Sequence, residues 1–362
     1  MKKIYYYPLF IFLIVFLADK IVCIPSLLES GRRHYKAGQN VLLGINPVWN
    51  ADKIKQSNGT TTISMFGSSR SYLFHEWKDI PLKENYFSKP FAIETRSIVK
   101  ASDFLLNYLL IRSMEKTDYK PNLVVLEFSE EILNEKSPFT FKSKSEELIL
   151  NSEELISILP YLEGEGRRNV IFKILFPSYN YRFQPLLAVS NLIKGKKIEE
   201  ETLFVEMIAL MNEKQPFDPK NVGFPLNSFP KGDYQGRIID YTNQLIKNDI
   251  LRNYKYSPNE EGVFHAIIDY LEKNNIPTVI WEPEVHPYYL EKRKQITGGN
   301  HFQELKGKYI SETSKNIRTL SFVQDPLQCD VFVDASHISP VCIPEMSDRI
   351  FSVAKTIPNF KN

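Results

Sequence analysis

Short apolar runs alternate with longer amphipathic stretches along most of the chain. A β-rich run at 61–66 and short, largely apolar runs at 123–128, 276–281 and 331–333 are typical of buried strands in a parallel sheet. Apolar residues at helical spacing predict helices over 94–114, 145–162, 185–213, 259–274, 288–295 and 344–354. This alternation predicts an α/β protein with a mostly parallel sheet and helices on both of its faces. Functional residues in such sheets lie at the carboxyl ends of the strands.

The N-terminal segment has the pattern of a membrane anchor. An uncharged, almost wholly apolar or aromatic run occupies residues 4–18, between Lys3 and the Asp19-Lys20 pair. Lysines ahead of such a run favour a cytoplasmic N-terminus, and continuation to Ile24 gives roughly the 20 residues that a span needs. The pattern predicts a transmembrane helix within residues 1–25 that contacts the membrane through 4–24. A cleaved signal peptide and a buried core helix are the alternatives, and the anchor and signal-peptide interpretations both export the rest of the chain.

The remaining chain divides by pattern into a connector and one domain. Residues 26–58 are predicted to be a juxtamembrane connector, and residues 59–362 an α/β domain. Between about 178 and 256 the strand and helix pattern loosens, and a charge-rich helical stretch leads into a loop rich in Pro, Gly and Asn. We interpret 178–256 as a helical and loop insertion in the domain.

Composition narrows the class of protein. The chain has 362 residues, of which 43% are hydrophobic, and this is enough to form a sizeable core. Lys and Arg number 45 against 43 Asp and Glu, which gives a formal net charge of +2. Such an even balance gives no electrostatic argument for nucleic-acid binding, so no nucleic-acid partner is expected. The sequence also contains no motif that calls for a cofactor.

Three cysteines are present, and two of them bracket a candidate functional segment. Cys23 lies in the apolar N-terminal segment, whereas Cys329 and Cys342 stand thirteen positions apart on either side of Asp334 and His337. In an oxidising compartment the second pair would form a disulfide closing a short loop, worth roughly 3 kcal/mol in the chain-entropy model. Two free buried thiols are the alternative, and reduced thiols would suit an intracellular protein.

Two short segments carry residue types suited to nucleophilic catalysis. Gly67-Ser68-Ser69 follows the run 61–66, where a tight turn into a helix would place a serine amide beside a developing oxyanion. Asp334-x-x-His337 follows the run 331–333, where the histidine would take the serine proton and the carboxylate would orient the imidazole. Taken singly, each segment has a simpler interpretation, as a helix N-cap or as an Asx turn beside a surface histidine.

Together, the Gly67-Ser68-Ser69 and Asp334-Ala335-Ser336-His337 blocks resemble those of the SGNH/GDSL hydrolase superfamily. The resemblance implies a flavodoxin-like three-layer fold with Ser69 as nucleophile, His337 as base and Asp334 as the partner of His337. Gly-Ser-Ser is also the form found in DltD-type proteins of teichoic-acid D-alanylation. The layout up to about residue 350 resembles a spirochaetal membrane-anchored family of unknown function. This similarity implies a catalytic domain in the periplasm or at the outer face of the inner membrane.

The oxyanion-binding blocks of that superfamily are altered in this chain. The superfamily has a glycine after the second strand, whereas the corresponding segment 85–92 ends at Ala92 and contains none, so a backbone amide there would have to serve. Ser129 stands where the superfamily has an asparagine, and Arg70 is a candidate for binding an anionic substrate. Loss of one oxyanion donor costs about 100- to 1000-fold in rate, which keeps an inactive scaffold open as an alternative.

The resemblance implies an extracytoplasmic serine acyl-ester hydrolase or O-acyltransferase that acts on a cell-envelope glycan or lipid. If the protein transfers acyl groups, a multi-pass membrane acyltransferase is the expected partner. The alternative is a catalytically inactive scaffold that binds or helps assemble envelope polymers. Glu282, Glu284 and His286 could in principle hold a metal, but Pro283 and Pro287 favour a rigid loop, so no metal is expected.

Overall fold

A computed structural model of the chain describes residues 6–22, 24, 27, 31, 60–72, 74, 80–95, 104–113, 120–137, 152–180, 183–194, 229–232 and 236–360. The strands are β1 (Thr61–Phe66), β2 (Phe91–Thr95), β3 (Leu123–Glu127), β4 (Phe229–Pro230), β5 (Thr278–Glu282), β6 (Ile317–Ser321) and β7 (Val331–Phe332). The helices are α1 (Tyr6–Val22), α2 (Ser69–Tyr72), α3 (Phe104–Ser113), α4 (Ser152–Ile158), α5 (Gly164–Leu175), α6 (Pro177–Asn180), α7 (Pro185–Lys194), α8 (Arg237–Lys247), α9 (Pro258–Lys273), α10 (Pro287–Thr297), α11 (His301–Tyr309) and α12 (Ile343–Lys355). Short 3₁₀ helices occupy Glu130–Leu133, Leu159–Tyr161 and Pro340–Cys342. The predicted connector 26–58 lies almost wholly outside the described residues.

In the described chain a five-stranded sheet has the order β2-β1-β3-β5-β6, and every neighbouring pair is parallel. The predicted α/β class with a mostly parallel sheet is therefore confirmed. The order reverses at β1. The chain passes from β1 to β2 on one side of β1, and then crosses to β3 on the other side. At such a switch point the carboxyl ends of the two diverging strands flank a crevice, which is where α/β proteins bind ligands.

Helices cover both faces of the sheet and form two hydrophobic cores. Val124 and Leu126 of β3 face the core that includes α3 and α9, whereas Leu123 and Val125 face the core that includes α12. Successive side chains of a strand point to opposite faces, so a strand buried on both faces is rich in apolar and β-branched residues at consecutive positions. This burial explains why β1, β3 and β5 are recognisable in the sequence as short runs rich in apolar and β-branched residues.

The predicted transmembrane helix is wrong. Helix α1 has 17 residues, and within the part of the chain that the structure describes no helix is both long enough and apolar enough to cross a membrane. The last turn of α1 instead contacts the body of the protein. The carboxylate of Asp19 is buried and accepts a hydrogen bond from the Ser178 amide at 3.0 Å, and Lys20 Nζ donates to the Leu175 carbonyl at 2.7 Å.

Three strands differ from the sequence predictions. Strand β2 ends at Thr95 where a helix from residue 94 was expected, and α3 begins only at Phe104. Strand β6 was not predicted from the sequence. It lies at the sheet edge, where Arg318 and Thr319 are partly exposed and interrupt the apolar pattern. The predicted strand at 331–333 is the two-residue β7, which pairs antiparallel with β4 outside the main sheet. Asp334 therefore follows a small separate sheet, and other contacts must position it.

The carboxyl-terminal part of the predicted insertion packs beside the candidate functional segment. Ile238 and Leu245 of α8 belong to a small apolar cluster with Val285, Tyr289 and Ala335. Residues 195–228 of the predicted insertion lie outside the described part of the chain. Helix α8 thus brings a distant part of the sequence next to the Asp334–His337 loop.

Candidate active site

The turn between β1 and α2 presents Ser69 at the carboxyl edge of the sheet. Gly67 lies against β3 so closely that a Cβ atom there would stand 2.5 Å from Glu127 Cβ and 2.2 Å from Ser71 Oγ. These distances are far below van der Waals contact, so only glycine fits at this position. The close approach fixes the turn that follows β1 directly onto the end of β3.

Glu127, the last residue of β3, holds this turn by accepting several hydrogen bonds from it. Its Oε2 accepts hydrogen bonds from the Ser68 amide at 2.8 Å, the Ser71 amide at 3.1 Å and the Ser71 hydroxyl at 2.6 Å. The Ser68 hydroxyl donates to Glu127 Oε1. Because the Ser68 hydroxyl hydrogen is directed into this buried carboxylate, Ser69 is the serine of the pair that remains for chemistry.

Ser69, His337 and Asp334 form a continuous hydrogen-bonded series. Ser69 Oγ lies 2.7 Å from His337 Nε2, and His337 Nδ1 lies 2.9 Å and 3.0 Å from the two carboxylate oxygens of Asp334. Asp334 and His337 are buried, whereas Ser69 is half-buried. The geometry matches a serine nucleophile, a general base and an orienting carboxylate.

The carboxylate of Asp334 is held in its ionised form. Burial alone would raise its pKa, but the hydrogen bond and charge interaction with His337 outweigh burial and lower the pKa below the ordinary value. The amides of Ser336 and His337 also donate to Asp334 Oδ1, at 2.8 Å and 3.0 Å. An ionised Asp334 keeps a proton on His337 Nδ1, which leaves the Nε2 lone pair directed at Ser69.

Backbone bonds and a disulfide shape the loop that carries Asp334 and His337. The Val333 amide donates to the His337 carbonyl at 2.9 Å, and the Ser339 amide donates to the Val331 carbonyl at 2.7 Å. Cys329 and Cys342 are joined by a disulfide with a Cα–Cα distance of 5.5 Å. The loop is therefore closed at its base on both sides of the acid–base pair.

Removal of this disulfide is expected to destabilise the protein and to loosen the loop. Replacing Cys329 and Cys342 together with serine should lower the free energy of unfolding by about 3 kcal/mol, because the unfolded chain is no longer constrained by a short closed loop. Urea denaturation of the variant measures the loss, and reduction of the wild-type protein serves as an independent check. An unchanged unfolding free energy in both experiments would show that the bond contributes nothing to stability.

The structure does not bring Ala92 to Ser69. Ala92 pairs with Thr62 within the ladder, four residues before the end of β1, and this places it roughly 13 Å along the strand from Phe66. The segment 96–103, which follows the carboxyl end of β2, lies outside the described residues. Among the predicted oxyanion donors, the amide of Ser69 itself is the one located at the nucleophile.

Ser129 and Arg70 take part in a buried polar network. Ser129 Oγ accepts from Arg70 Nη1 and donates its single hydroxyl hydrogen to Glu131 Oε2, so this hydrogen is not directed at Ser69. Arg70 is 8% exposed, and its Nη2 donates to Glu131 Oε1 at 3.0 Å. The guanidinium is thus enclosed by the protein's own acceptors, in contrast to the substrate-binding role considered from the sequence.

Glu131 lies at the centre of this network. Its Oε1 accepts a hydrogen bond from the Tyr289 hydroxyl at 2.7 Å and lies 3.6 Å from Arg293 Nη1. Burial disfavours its charge, but Arg70 and Arg293 outweigh burial and hold its pKa well below the ordinary value. For Arg70, likewise, Glu131 and Glu127 outweigh burial and raise its pKa above the ordinary value. Glu131, Arg70 and Arg293 are therefore charged at neutral pH.

Tyr241 of α8 is a further polar group at the site. Its hydroxyl is a hydrogen-bond partner of the Ser336 side chain, and burial and the negative charge of Asp334 raise its pKa. Ser336 Oγ in turn lies 3.0 Å from His337 Nδ1. Tyr241 is therefore connected to Nδ1 of the imidazole through the Ser336 side chain.

The partners of several residues at this site could not be recognised from the sequence. Glu127, Glu130 and Glu131 were visible as acidic residues at the end of an apolar run, which is an unusual place for carboxylates. Nothing in the sequence linked them to Arg293 or Tyr289, more than 150 positions away. Tyr241 lies in the segment taken for an insertion, where no local pattern singled it out.

His301 and Glu130 form a second histidine–carboxylate pair close to this network. His301 Nδ1 lies 2.8 Å from Glu130 Oε2, and the imidazole packs on the ring of Tyr256 with a centroid distance of 4.9 Å. The hydrogen bond with Glu130 is the main cause that raises the pKa of His301 above its ordinary value. The pair therefore favours the protonated imidazole in the folded protein.

This pair should make stability depend on pH above about pH 6.5, the ordinary pKa of histidine. Because the folded pKa of His301 is raised, its contribution is fully present below that pH and is lost as the pH rises through the folded value. Urea denaturation of the wild type and of His301→Gln over this range measures the contribution. The free-energy difference between the two should shrink with rising pH, and a constant difference would refute the assignment.

The last residue of β5 and the loop that follows it form structural contacts. Glu282 accepts from the Ser321 hydroxyl at 2.6 Å, Glu284 lies 2.6 Å from Lys231 Nζ, and the His286 amide donates to the Ala335 carbonyl at 3.0 Å. Among the described residues no cluster of three or more His, Cys, Asp and Glu side chains could hold a metal ion. This loop therefore supports the Asp334–His337 segment from the side of β5.

Comparison with known proteins gives a family without an assigned activity. No curated protein matches the sequence. One family model matches residues 1–353, which is nearly the entire chain. The chain belongs to the family described as Protein of unknown function (DUF1574).

Proposed function

We propose that the protein is a serine acyl-ester hydrolase or O-acyltransferase of the SGNH type. The observation that carries the proposal is the continuous series from Ser69 Oγ to His337 Nε2 at 2.7 Å and from His337 Nδ1 to Asp334 at 2.9 Å. Ser69 lies after β1, at the switch point of the sheet, where α/β proteins commonly bind ligands. The two sequence blocks that resemble the SGNH superfamily contain these same three residues.

The proposed reaction proceeds through a covalent acyl-serine. Ser69 Oγ attacks the ester carbonyl carbon while His337 Nε2 takes the hydroxyl proton, and Asp334 stabilises the resulting imidazolium. The tetrahedral intermediate then expels the alcohol oxygen, which receives the proton from His337. Water, or the hydroxyl of an acceptor, attacks the acyl-serine with His337 again acting as base. The products are a free acid or a new ester, and Ser69 is regenerated.

We propose an extracytoplasmic location and an envelope glycan or lipid as substrate. The support for the location is the Cys329–Cys342 disulfide, because such bonds persist in oxidising compartments. The support for the substrate class is the resemblance of the Gly67-Ser68-Ser69 block to DltD-type proteins. In the transferase version, a multi-pass membrane acyltransferase would supply or receive the acyl group.

One observation favours a second candidate, an inactive scaffold that binds or assembles envelope polymers. The Ser129 hydroxyl donates to Glu131, so the side chain at the position expected to bind the oxyanion is committed elsewhere. Weak oxyanion stabilisation would lower the rate by about 100- to 1000-fold. A protein of this kind would retain the fold and the triad geometry but would turn over no ester.

Turnover of p-nitrophenyl acetate tests the proposal. The wild-type protein should release nitrophenolate in a burst of about one equivalent followed by a slower steady state, which is the signature of an acyl-enzyme. Ser69→Ala should show neither phase. An added glycan that raises the steady-state rate and becomes acylated would identify a transferase. Absence of any Ser69-dependent release, with the protein shown to be folded, would favour the inactive scaffold.

A further inference from the structure

We propose that Arg70 is a positioning residue that clamps the Asp334–His337 loop to the Ser69 turn. Arg70 directly follows Ser69, and its Nε donates to the carbonyl of Ser336 at 2.8 Å. Ser336 directly precedes His337. One hydrogen bond therefore joins the chain neighbour of the nucleophile to the chain neighbour of the base, across 266 positions of sequence. The catalytic meaning of this clamp rests on the proposed function, whereas its structural meaning does not.

The loop needs such a clamp because the main sheet does not position it. Strand β7, which leads into Asp334, pairs with β4 in a separate two-stranded sheet. The disulfide closes the base of the loop without fixing its distance from β1. Two carbonyls within the loop accept bonds from other elements, Ala335 from the His286 amide at 3.0 Å and Ser336 from Arg70. Of these two, the bond from Arg70 ties the loop to the strand that leads to the nucleophile.

Glu127 at the end of β3, together with Ser129 and Glu131 just after it, fixes the orientation of the Arg70 guanidinium. Nη2 donates to Glu131 at 3.0 Å, Nη1 donates to Ser129, and Nη1 lies 3.6 Å from Glu127 Oε1. With its terminal nitrogens held in this way, the rigid plane of the guanidinium directs Nε at the Ser336 carbonyl. Arginine offers five donors in a fixed fork, whereas the single ammonium of lysine could not serve the carboxylates and the carbonyl together.

Arg293 provides a matched control for Arg70. It is also buried, it lies 3.6 Å from the same Glu131 oxygen, and its Nη2 lies 3.4 Å from Glu282 Oε1. Arg293→Lys therefore perturbs the same network without removing the bond to Ser336. A difference between Arg70→Lys and Arg293→Lys isolates the clamp from the general loss of a buried ion pair.

Hydrogen exchange measured by mass spectrometry tests the clamp without relying on activity. In Arg70→Lys the amides of 333–339 should exchange at least about ten-fold faster than in the wild type, since their bonds open once the loop is released. In Arg293→Lys the same amides should exchange at the wild-type rate, with the increase confined to α10 and β5. Ser129→Ala, which loses one contact that orients Arg70, should give a smaller increase in 333–339 and covers the case in which Arg70→Lys does not fold.

Labelling by a fluorophosphonate probe provides the catalytic readout. Arg70→Lys should lower the maximal rate of Ser69 modification by about 10- to 100-fold with little change in probe affinity, because a displacement of about 1 Å between reacting groups is enough for such a loss. Equal exchange in 333–339 for Arg70→Lys and Arg293→Lys, or unchanged exchange in Ser129→Ala where Arg70→Lys does not fold, would overturn the clamp. If the amides of 333–339 exchange faster in Arg70→Lys than in Arg293→Lys but the probe does not label the wild-type protein, the clamp is upheld and the proposed function is refuted.

Discussion

Replacing His337 with alanine is expected to lower the rate of ester turnover by about 10⁴-fold or more while leaving the fold intact. The imidazole is the group within reach of Ser69 Oγ, at 2.7 Å, and an unassisted serine hydroxyl is a poor nucleophile. Asp334→Asn should cause a loss of similar order, because an amide at that position no longer holds the proton on Nδ1. The burst rate with p-nitrophenyl acetate measures both effects.

His265→Ala is the control for this prediction. His265 is a partly exposed histidine on α9 that stacks on Tyr309 and lies 3.5 Å from Asp269, away from Ser69. Its removal should leave the burst rate within about two-fold of the wild type, because substitutions at partly exposed positions away from the candidate site have small effects. If His337→Ala retained more than about one-tenth of the wild-type rate, His337 could not be the general base.

Glu131→Gln is expected to lower the free energy of unfolding by about 3–5 kcal/mol. Glu131 is fully buried between Arg70 and Arg293, and a neutral amide would leave both guanidinium groups facing a partner without charge. Breaking a buried pair by removal of one partner carries the cost of the uncompensated charge that remains. Chemical denaturation monitored by circular dichroism measures the loss.

Glu135→Gln is the matched control for Glu131→Gln. Glu135 lies four positions further along the chain and pairs with Lys255 at 2.8 Å, but both side chains are substantially exposed. Exposed pairs contribute about 0–1 kcal/mol, so this variant should unfold within that range of the wild type. Equal losses in the two variants would show that the buried network around Glu131 contributes no more than a surface contact.

The buried strands were the part of the fold that the sequence predicted best. β1, β3 and β5 lie in the middle of the sheet, where both faces are covered, and their runs of apolar and β-branched residues predicted their positions to within two residues. β6 is an edge strand, and its partly exposed Arg318 and Thr319 removed the periodic signal. The apolar N-terminal segment was predicted to span a membrane, but it forms a helix of 17 residues that ends at Val22.

The sequence indicated three candidate residues of the site but not the buried residues that contact them. Ser69, Asp334 and His337 lie in two short motifs, and the joint resemblance of these motifs to the SGNH blocks singled the three residues out. Arg70 was considered for substrate binding because a sequence does not show that a charged residue is buried. Its partners Glu131 and Ser336 come from other parts of the chain, and only the folded structure brings them together.

The position of a covalent adduct tests the role of Ser69 most directly. After incubation with a fluorophosphonate, in which Ser69 Oγ would displace fluoride from phosphorus, tandem mass spectrometry of the digested protein locates the modified residue. We predict one adduct, on Ser69, in the wild type and at a reduced rate in Ser68→Ala, with none in Ser69→Ala or in the unfolded chain. An adduct on a different serine, or none on the folded wild-type protein, would contradict the proposed nucleophile.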